Sequence, residues 1–307
     1  MSLTFKGINS GGFGGYELTD QLTTNIKLWL DWGLLHHGAF SQINYDSYST
    51  FNDTESRLLP VLDQRYEEGR VWNGFGNEWV WEEGVSISGS PFRVSGIYIN
   101  NNFYDTDSQL PYSYHVDYSH GRIVFDTPMD PDADIRAEYC HRSVFVSSTD
   151  HPDYSQLLQN SVVDFASRIE PSGIPDRDRQ VWLPAIFIDV NRGTQKGLAL
   201  GGGQIKSRTV VLQVFADNKA DRNLLMDWLD YQSRSAFIMA DLNSMSYPLD
   251  EWGSPVSGAT NWVDMANSKP WKKMRIMNGK VQRIDSLNPN IFRGRVTWEI
   301  EVDCPGI

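Results

Sequence analysis

Cysteine is almost missing from this chain: Cys140 and Cys304 are the only two in 307 residues. Two thiols cannot build a disulfide framework or a four-ligand structural zinc site, so reduced thiols of an intracellular product are expected. Long apolar runs are missing as well. No stretch approaches the roughly 18 residues of a membrane span and no signal-like run opens the chain, so neither secretion nor membrane spanning is expected. Positive charge is short, with 27 Lys and Arg against 39 Asp and Glu, a net charge of -12. That disfavours general nucleic-acid binding, which needs basic patches to displace counterions from phosphates. The signatures of chemistry are missing too. His36, His37, His115, His120, His141 and His151 show no metal-ligand spacing, and no GxSxG, kinase or Walker pattern occurs. No catalytic residue, cofactor site or metal site is assigned.

What the chain does have is apolar and aromatic bulk, at 40% and 12%. This is ample for packed cores and argues against disorder, while the length allows two domains or one with an insertion. The most patterned stretch is Tyr112 to Val146. Tyr114, Val116 and Tyr118 alternate with His115 and Asp117, as in a half-buried strand. Ser119-His120-Gly121 supplies a turn, Ile123 to Phe125 a second strand, and Asp126 to Asp134 a Pro- and Asp-rich loop. Ile135, Ala137 and Tyr139 then alternate in a third strand, giving an antiparallel meander. Upstream, Val94, Gly96 and Tyr98 share one face and Ile97 and Ile99 the other, with Asn100-Asn101-Asn102 as the hairpin turn. Residues 84–147 therefore read as a compact all-β module.

Around it the pattern is mixed. Residues 1–16, with two Gly-Gly pairs, read as a flexible arm rather than a nucleotide loop. Leu18 to Ile43 has helical character, capped by Thr19 or Asp20, with a stripe of Leu22, Ile26, Trp29 and Leu30 that Gly33 ends or bends. Residues 155–170 predict a second helix, Leu158, Val162, Phe165 and Ile169 forming its stripe and Ser155 its cap. Trp182 to Ile188 predicts a strand in which Pro184 suggests an edge or bulge. Residues 191–203 read as a mobile glycine-rich connection, and Thr209 to Phe215 as a strand covered on both faces. Asp217 or Asn218 caps a helix with a stripe of Leu224, Leu225, Trp228 and Leu229. Residues 241–270 read as a long irregular loop, and Phe292 to Val302 as a half-buried strand after Lys273 to Asp285. A strand feeding straight into an amphipathic helix indicates α+β, helix on sheet. Three parts result: an arm, helix and aromatic-rich segment (1–83), the β module (84–150), and an α+β domain (151–307).

Few residues ask for chemistry. Trp72, Phe75, Trp79 and Trp81 among glycines and acids fit a core, a subunit contact or a sugar-stacking platform. Glu82-Glu83 and Asp250-Glu251 beside tryptophans are compatible with a glycosidase cleft but read first as solvated loop charge. The adjacent His36 and His37 point in different directions and suit a turn or interface, while His115 and His141 read as a cross-strand polar pair.

The segment YHVDYSHGRIVFDTPMDPDADIRAEYCHRSVFV resembles a β-module of tailed-bacteriophage structural proteins. Residues 155–234 and 273–303, including the step VVLQVFADNKADRNLLMDWL, resemble more loosely the α+β subunits that stack as rings in phage necks and tails: terminators, stoppers and adaptors. The resemblance implies a tail-terminator-like helix-on-sheet domain with an inserted or appended β module, in a virion component that is not an enzyme. It implies a ring of identical chains between head connector and tail, touching other neck and tail proteins, with DNA only passing through the lumen. By resemblance the arm 1–16 and hairpin loop 191–205 bridge subunits, which singles out Gly11, Phe13, Gly14, Gly197, Leu198, Leu200 and Gly202 beside Trp72, Trp79 and Trp81. Glycine-rich arms, tryptophans in loops and an acidic surface that lets DNA slide fit that expectation. Two alternatives stand behind it: a glycan-binding or glycan-processing tail or baseplate component using Trp72, Trp79, Trp81 and nearby acids, and a cellular enzyme of unknown class.

Overall fold

The structure is a computed structural model describing residues 18–46, 55–85, 91–106, 111–161, 182–197, 204–245, 247–286 and 288–304. It is a mixed α+β protein, mostly strand, with four helices among those residues. Helix α1 (Leu18–His36) comes first, then ten short strands: β1 (Phe40–Ile43), β2 (Leu59–Val61), β3 (Val71–Asn73), β4 (Gly96–Ile99), β5 (Asn102–Asp105), β6 (Tyr114–Asp117), β7 (Arg122–Phe125), β8 (Ile135–Ala137), β9 (Tyr139–Arg142) and β10 (Phe145–Ser148). Helix α2 (Pro152–Asn160) precedes the long strands β11 (Ala185–Gly197) and β12 (Gln204–Ala216). Helix α3 (Lys219–Tyr231), β13 (Ala236–Ala240), helix α4 (Trp262–Ser268), β14 (Pro270–Ile284) and β15 (Phe292–Cys304) complete the chain.

One sheet runs in the order β10-β11-β12-β15-β14-β13, antiparallel except for the parallel pair β10–β11. Strand alternation sends Ile186, Ile188, Val210, Leu212, Val214, Val296, Trp298, Ile300 and Val302 to one face. There α1 lays down Leu22, Ile26, Leu30 and Leu34, and α3 lays down Leu225, Met226 and Leu229. Asn218 starts α3 by accepting the Asp221 N–H at 2.8 Å. On the opposite face α2 packs Leu157 and Tyr154 against Phe187 and Phe215. The apolar run Thr209 to Phe215 is covered from both sides only at its Gln213–Phe215 end, since Thr209 and Val211 on that second face are half-buried.

The β module consists of the sheets β2-β3-β7-β6 and β5-β4-β8 and the pair β1-β9. Its core holds Trp72, Ile97, Ile99, Tyr114, Val116, Ile123 and Phe125, with Trp79 stacked on Tyr139 at 4.0 Å. The β4–β5 turn has φ 49° at Asn100 and 67° at Asn101, the paired positive values that a two-residue type I′ turn requires. Gly121 turns β6 into β7 at φ 63°, where a Cβ would strike the Gly76 carbonyl.

Several expectations change. The stretch Tyr112 to Val146 is a hairpin rather than a three-stranded meander: β8 leaves β7 and pairs with β4 in another sheet. The loop Asp126 to Asp134 is longer than the 2–5 residues that close a hairpin directly. Crossing over puts Ile135 and Ala137 opposite Ile99 and Ile97, all buried. The pairing of β3 with β7 runs through the boundary drawn at 83/84, so that segment and the module share one sheet. Gly33 does not end α1. It lies under Trp228, where a Cβ would come within 3.3 Å of the ring, and the helix continues to His36 before Gly38 turns it at φ 83°. The second helix starts earlier, at Pro152 with His151 as cap, because proline is preset for a first helical turn. Val162, Phe165 and Ile169 lie outside the described residues. Pro184 is neither edge nor bulge within β11; it stands just before the strand and accepts the Phe145 N–H. Residues 191–197 continue β11 instead of forming a loop. Leu224 faces solvent, and Met226 takes its place in the buried stripe. Residues 241–270 hold α4, seven residues capped by Asn261, too short to stand out by period.

Candidate functional site

Charge is buried where α1 passes β9. Lys27 and Asp31 are one helical turn apart, and Asp31 lies on the line Leu28–Asp31–Leu35 that faces inward. Arg142 comes from the end of β9, Glu78 and Glu82 from the segment after β3, and Tyr247 from the stretch after β13. Arg142 Nη2 donates to both Glu82 oxygens, at 2.7 and 2.6 Å, and its Nη1 stands 3.9 Å from Asp31 Oδ1. Glu82 is 1% exposed and Asp31 4%. Among the described residues neither Asp31 Oδ1 nor Arg142 Nε has a hydrogen-bond partner.

A buried carboxylate oxygen without a hydrogen-bond partner is costly, which favours the protonated form. Burial pushes the Asp31 carboxyl up to about 7, against the pull of Arg142 and Lys27. Lys27 goes the other way. Burial alone would lower its ammonium pKa, but Tyr247, Glu78 and Asp31 outweigh that and hold it above the usual range. Arg142 is thus paired with Glu82, and Asp31 titrates near neutrality beside that pair. Glu78 itself sits at φ 53°, a left-handed backbone that a non-glycine residue adopts at a cost.

Two clefts open over this cluster. One of about 410 Å³ is lined by Asp31, Glu78, His120, Arg142, Trp182 and Tyr247. The other, about 650 Å³, is lined by Thr23, Thr24, Lys27, Ser147, Ser148 and Tyr247, so Lys27 and Tyr247 border both. A carboxyl that titrates near neutrality in a cleft is what proton transfer or pH sensing requires. Among the described residues no three His, Cys, Asp or Glu side chains are grouped to hold a metal.

The residues singled out from sequence fall elsewhere. Trp72, Trp79 and Trp81 are 1, 1 and 4% exposed, so their rings fill the core, Trp81 alone also lining the cleft of about 410 Å³. Gly197 ends β11 with open space around it. Gly11, Phe13, Gly14, Leu198, Leu200 and Gly202 lie outside the described residues. Glu82 is not solvated loop charge but the buried partner of Arg142; Glu83 is the exposed one, paired with Arg93 at 3.1 Å. Asp250 shapes a turn, accepting the N–H groups of Trp252 and Ser254. His115 and His141 are not a cross-strand pair, since β6 pairs with β7 and β9 with β1. His36 stacks on Trp32 at 5.0 Å. Cys140 is buried, with its thiol pushed up by burial, and Cys304 is half-buried; neither is in a disulfide.

The Asp31 cluster had escaped the sequence reading, and Trp252 entered it only as the tryptophan beside Asp250-Glu251. The first had one visible signal: a carboxylate on the same helical line as Leu28 and Leu35. Among the described residues no helix is long and apolar enough to cross a membrane. No protein-family model matches the chain, and no curated protein matches it either.

Proposed function

We propose that this chain is a structural subunit that assembles with copies of itself into a ring, in the manner of the neck and tail connectors of tailed-phage virions. The helix-on-sheet half would be the tail-terminator-like ring-forming part. The observation that carries the reading is the sheet with two uncovered edges. β10 covers β11 only over Ala185–Ile188, and β13 covers β14 only over 270–275. Asp189 to Gly197 on one side and 278–284 on the other have no strand beside them among the described residues. Unpaired edges of that length are templates for pairing with another chain.

The two bare edges are offset. Asp189 lies in the row of Val211, Thr297 and Lys280; the bare part of β11 runs one way from this row and most of the bare part of β14 runs the other way. Joining them between copies slides neighbouring sheets past each other, the shear that closing a sheet into a barrel requires. β11 and β14 run in opposite directions, so copies related by rotation about an axis along the strands would pair antiparallel. The net charge of -12 suits a lumen that DNA passes without sticking.

Light scattering with negative-stain imaging at several concentrations tests this. The expected result is a mass that rises to a closed multiple of the chain, with rings in the images. Adding charge to the bare edge with Val281→Lys should lower that mass. A single-chain mass at every concentration, together with absence from purified virions by antibody, would remove the reading.

A further inference from the structure

We propose that the turn carrying Trp252 is a carbohydrate-binding subsite that takes a neutral sugar ring on its exposed indole face. The site is separate from the sheet edges and does not depend on ring assembly. Trp252 is 51% exposed, the one exposed tryptophan among the described residues. Its turn is held firmly. Asp250 Oδ1 accepts the N–H groups of Trp252 and Ser254, each at 2.9 Å, and Ser254 Oγ donates to the Val116 carbonyl at 2.8 Å. The Tyr118 N–H donates to the Gly253 carbonyl at 3.0 Å. Gly253 has φ 78°, and a Cβ there would collide with the Asp117 carboxylate. The indole is therefore presented on a turn tied to β6 and the residue after it, so little ordering cost remains for binding.

Beside the indole lies a cleft of about 500 Å³ lined by Arg65, Tyr66, Arg70, His115, Asp126 and Asp250. The His115 ring stands edge-on to Trp252 at 6.0 Å. Arg65 is held by Asp63 at 2.7 Å. Arg70 donates its Nε to the Phe125 carbonyl at 2.6 Å, and its Nη2 stands 4.0 Å from Asp126 Oδ1. A hydroxyl group can bridge that gap, accepting from the guanidinium and donating to the carboxylate.

The balance of charge selects the ligand class. Two guanidiniums and two carboxylates face the cleft, so a phosphate meets Asp126 and Asp250 and an ammonium meets Arg65 and Arg70. A neutral polyhydroxylated ring satisfies donors and acceptors together, and its apolar C–H face covers the indole.

The test is an array of neutral hexose and N-acetylhexosamine oligosaccharides with uronic-acid and phosphorylated glycans alongside, followed by calorimetry with the best neutral binder. Neutral glycans should bind, Trp252→Ala should weaken binding about tenfold or more, and Trp252→Tyr should keep most of it. Asp126→Asn should weaken binding less than Trp252→Ala, with melting temperatures unchanged in all three because the residues are at the surface. The proposal is overturned if no neutral oligosaccharide binds, if only anionic glycans bind, or if Trp252→Ala binds the same sugar equally well. It is also overturned if Trp252 instead proves to bury against a second copy of the chain.

Discussion

Arg142 meets two carboxyl groups through different nitrogens, Glu82 at 2.6 Å from Nη2 and Asp31 at 3.9 Å from Nη1. Removing the guanidinium strands Glu82, which is fully buried, so Arg142→Leu should cost about 3–5 kcal/mol in urea unfolding. Replacing both members, as in Arg142→Leu with Glu82→Leu, should recover part of that loss; a double variant no more stable than the single one would place the effect elsewhere. Asp31 makes a separate prediction about pH. Its folded pKa of about 7 lies above the unfolded value, so the native state holds a proton that the unfolded chain has released. That contribution is complete below the unfolded pKa and is lost as pH rises through about 7. Three units correspond to a ceiling of about 4 kcal/mol. Asp117 has the opposite sign: burial would raise it, but hydrogen bonds from His120 and Arg122 hold it low, so its contribution is lost on acidification. Unfolding free energy measured from pH 4 to 8 should therefore fall less steeply toward high pH in Asp31→Asn than in the parent. Identical slopes would mean that Asp31 is ionised throughout.

Local devices set the elements. Asn218 supplies the α3 cap at 2.8 Å, and Asn218→Ala should lower stability by about 1 kcal/mol, read as a shift in the denaturation midpoint at constant slope. At the β4–β5 turn, Asn101→Gly should be tolerated and Asn101→Val should cost roughly 1–2 kcal/mol, because φ 67° drives a branched Cβ against the backbone. Equal stability of the two variants would show that the turn relaxes. These elements were legible because their signals are local. Val296, Trp298, Ile300 and Val302 alternate, and all four are buried; Asn100-Asn101 and Gly121 mark their turns by residue type alone. The misses have equally definite causes. Gly33 looks like a helix stop, but the Trp228 ring that makes glycine necessary comes from a helix nearly 200 residues away in sequence. Which strand β8 joins depends on burying Ile135 against a partner on the far side of a loop, and no window along the chain contains that choice. Arg142 and Asp31 are likewise 111 residues apart, so their meeting is a product of the fold.

At the scale of the molecule, α1 belongs to both halves. Leu22, Ile26, Leu30 and Leu34 enter the sheet core, while Leu28 enters the module core. A chain of aromatic rings continues the connection: Trp298 lies 6.0 Å from Trp29, Trp29 stacks on Phe237 at 4.4 Å, and Phe237 meets Trp262 edge-on at 5.2 Å. Residues 84–150, which read along the sequence as a module of their own, leave much of their core behind when cut out. Leu28, Leu58, Trp72, Trp79, Trp81 and Trp262 all come from outside that range. Large aromatic and aliphatic side chains each contribute about 1.5–3 kcal/mol by burial, and small domains are stable by only about 5–15 kcal/mol, so six such losses exceed what the fragment retains. Residues 84–150 expressed alone should therefore be unfolded, with a random-coil far-UV spectrum and no dispersion in the amide region of its NMR spectrum. The whole chain should unfold with tryptophan fluorescence and far-UV signal changing at one denaturant concentration. A folded fragment, or two separated transitions in the full chain, would show that the β module is independent and that α1 serves it only as a surface contact.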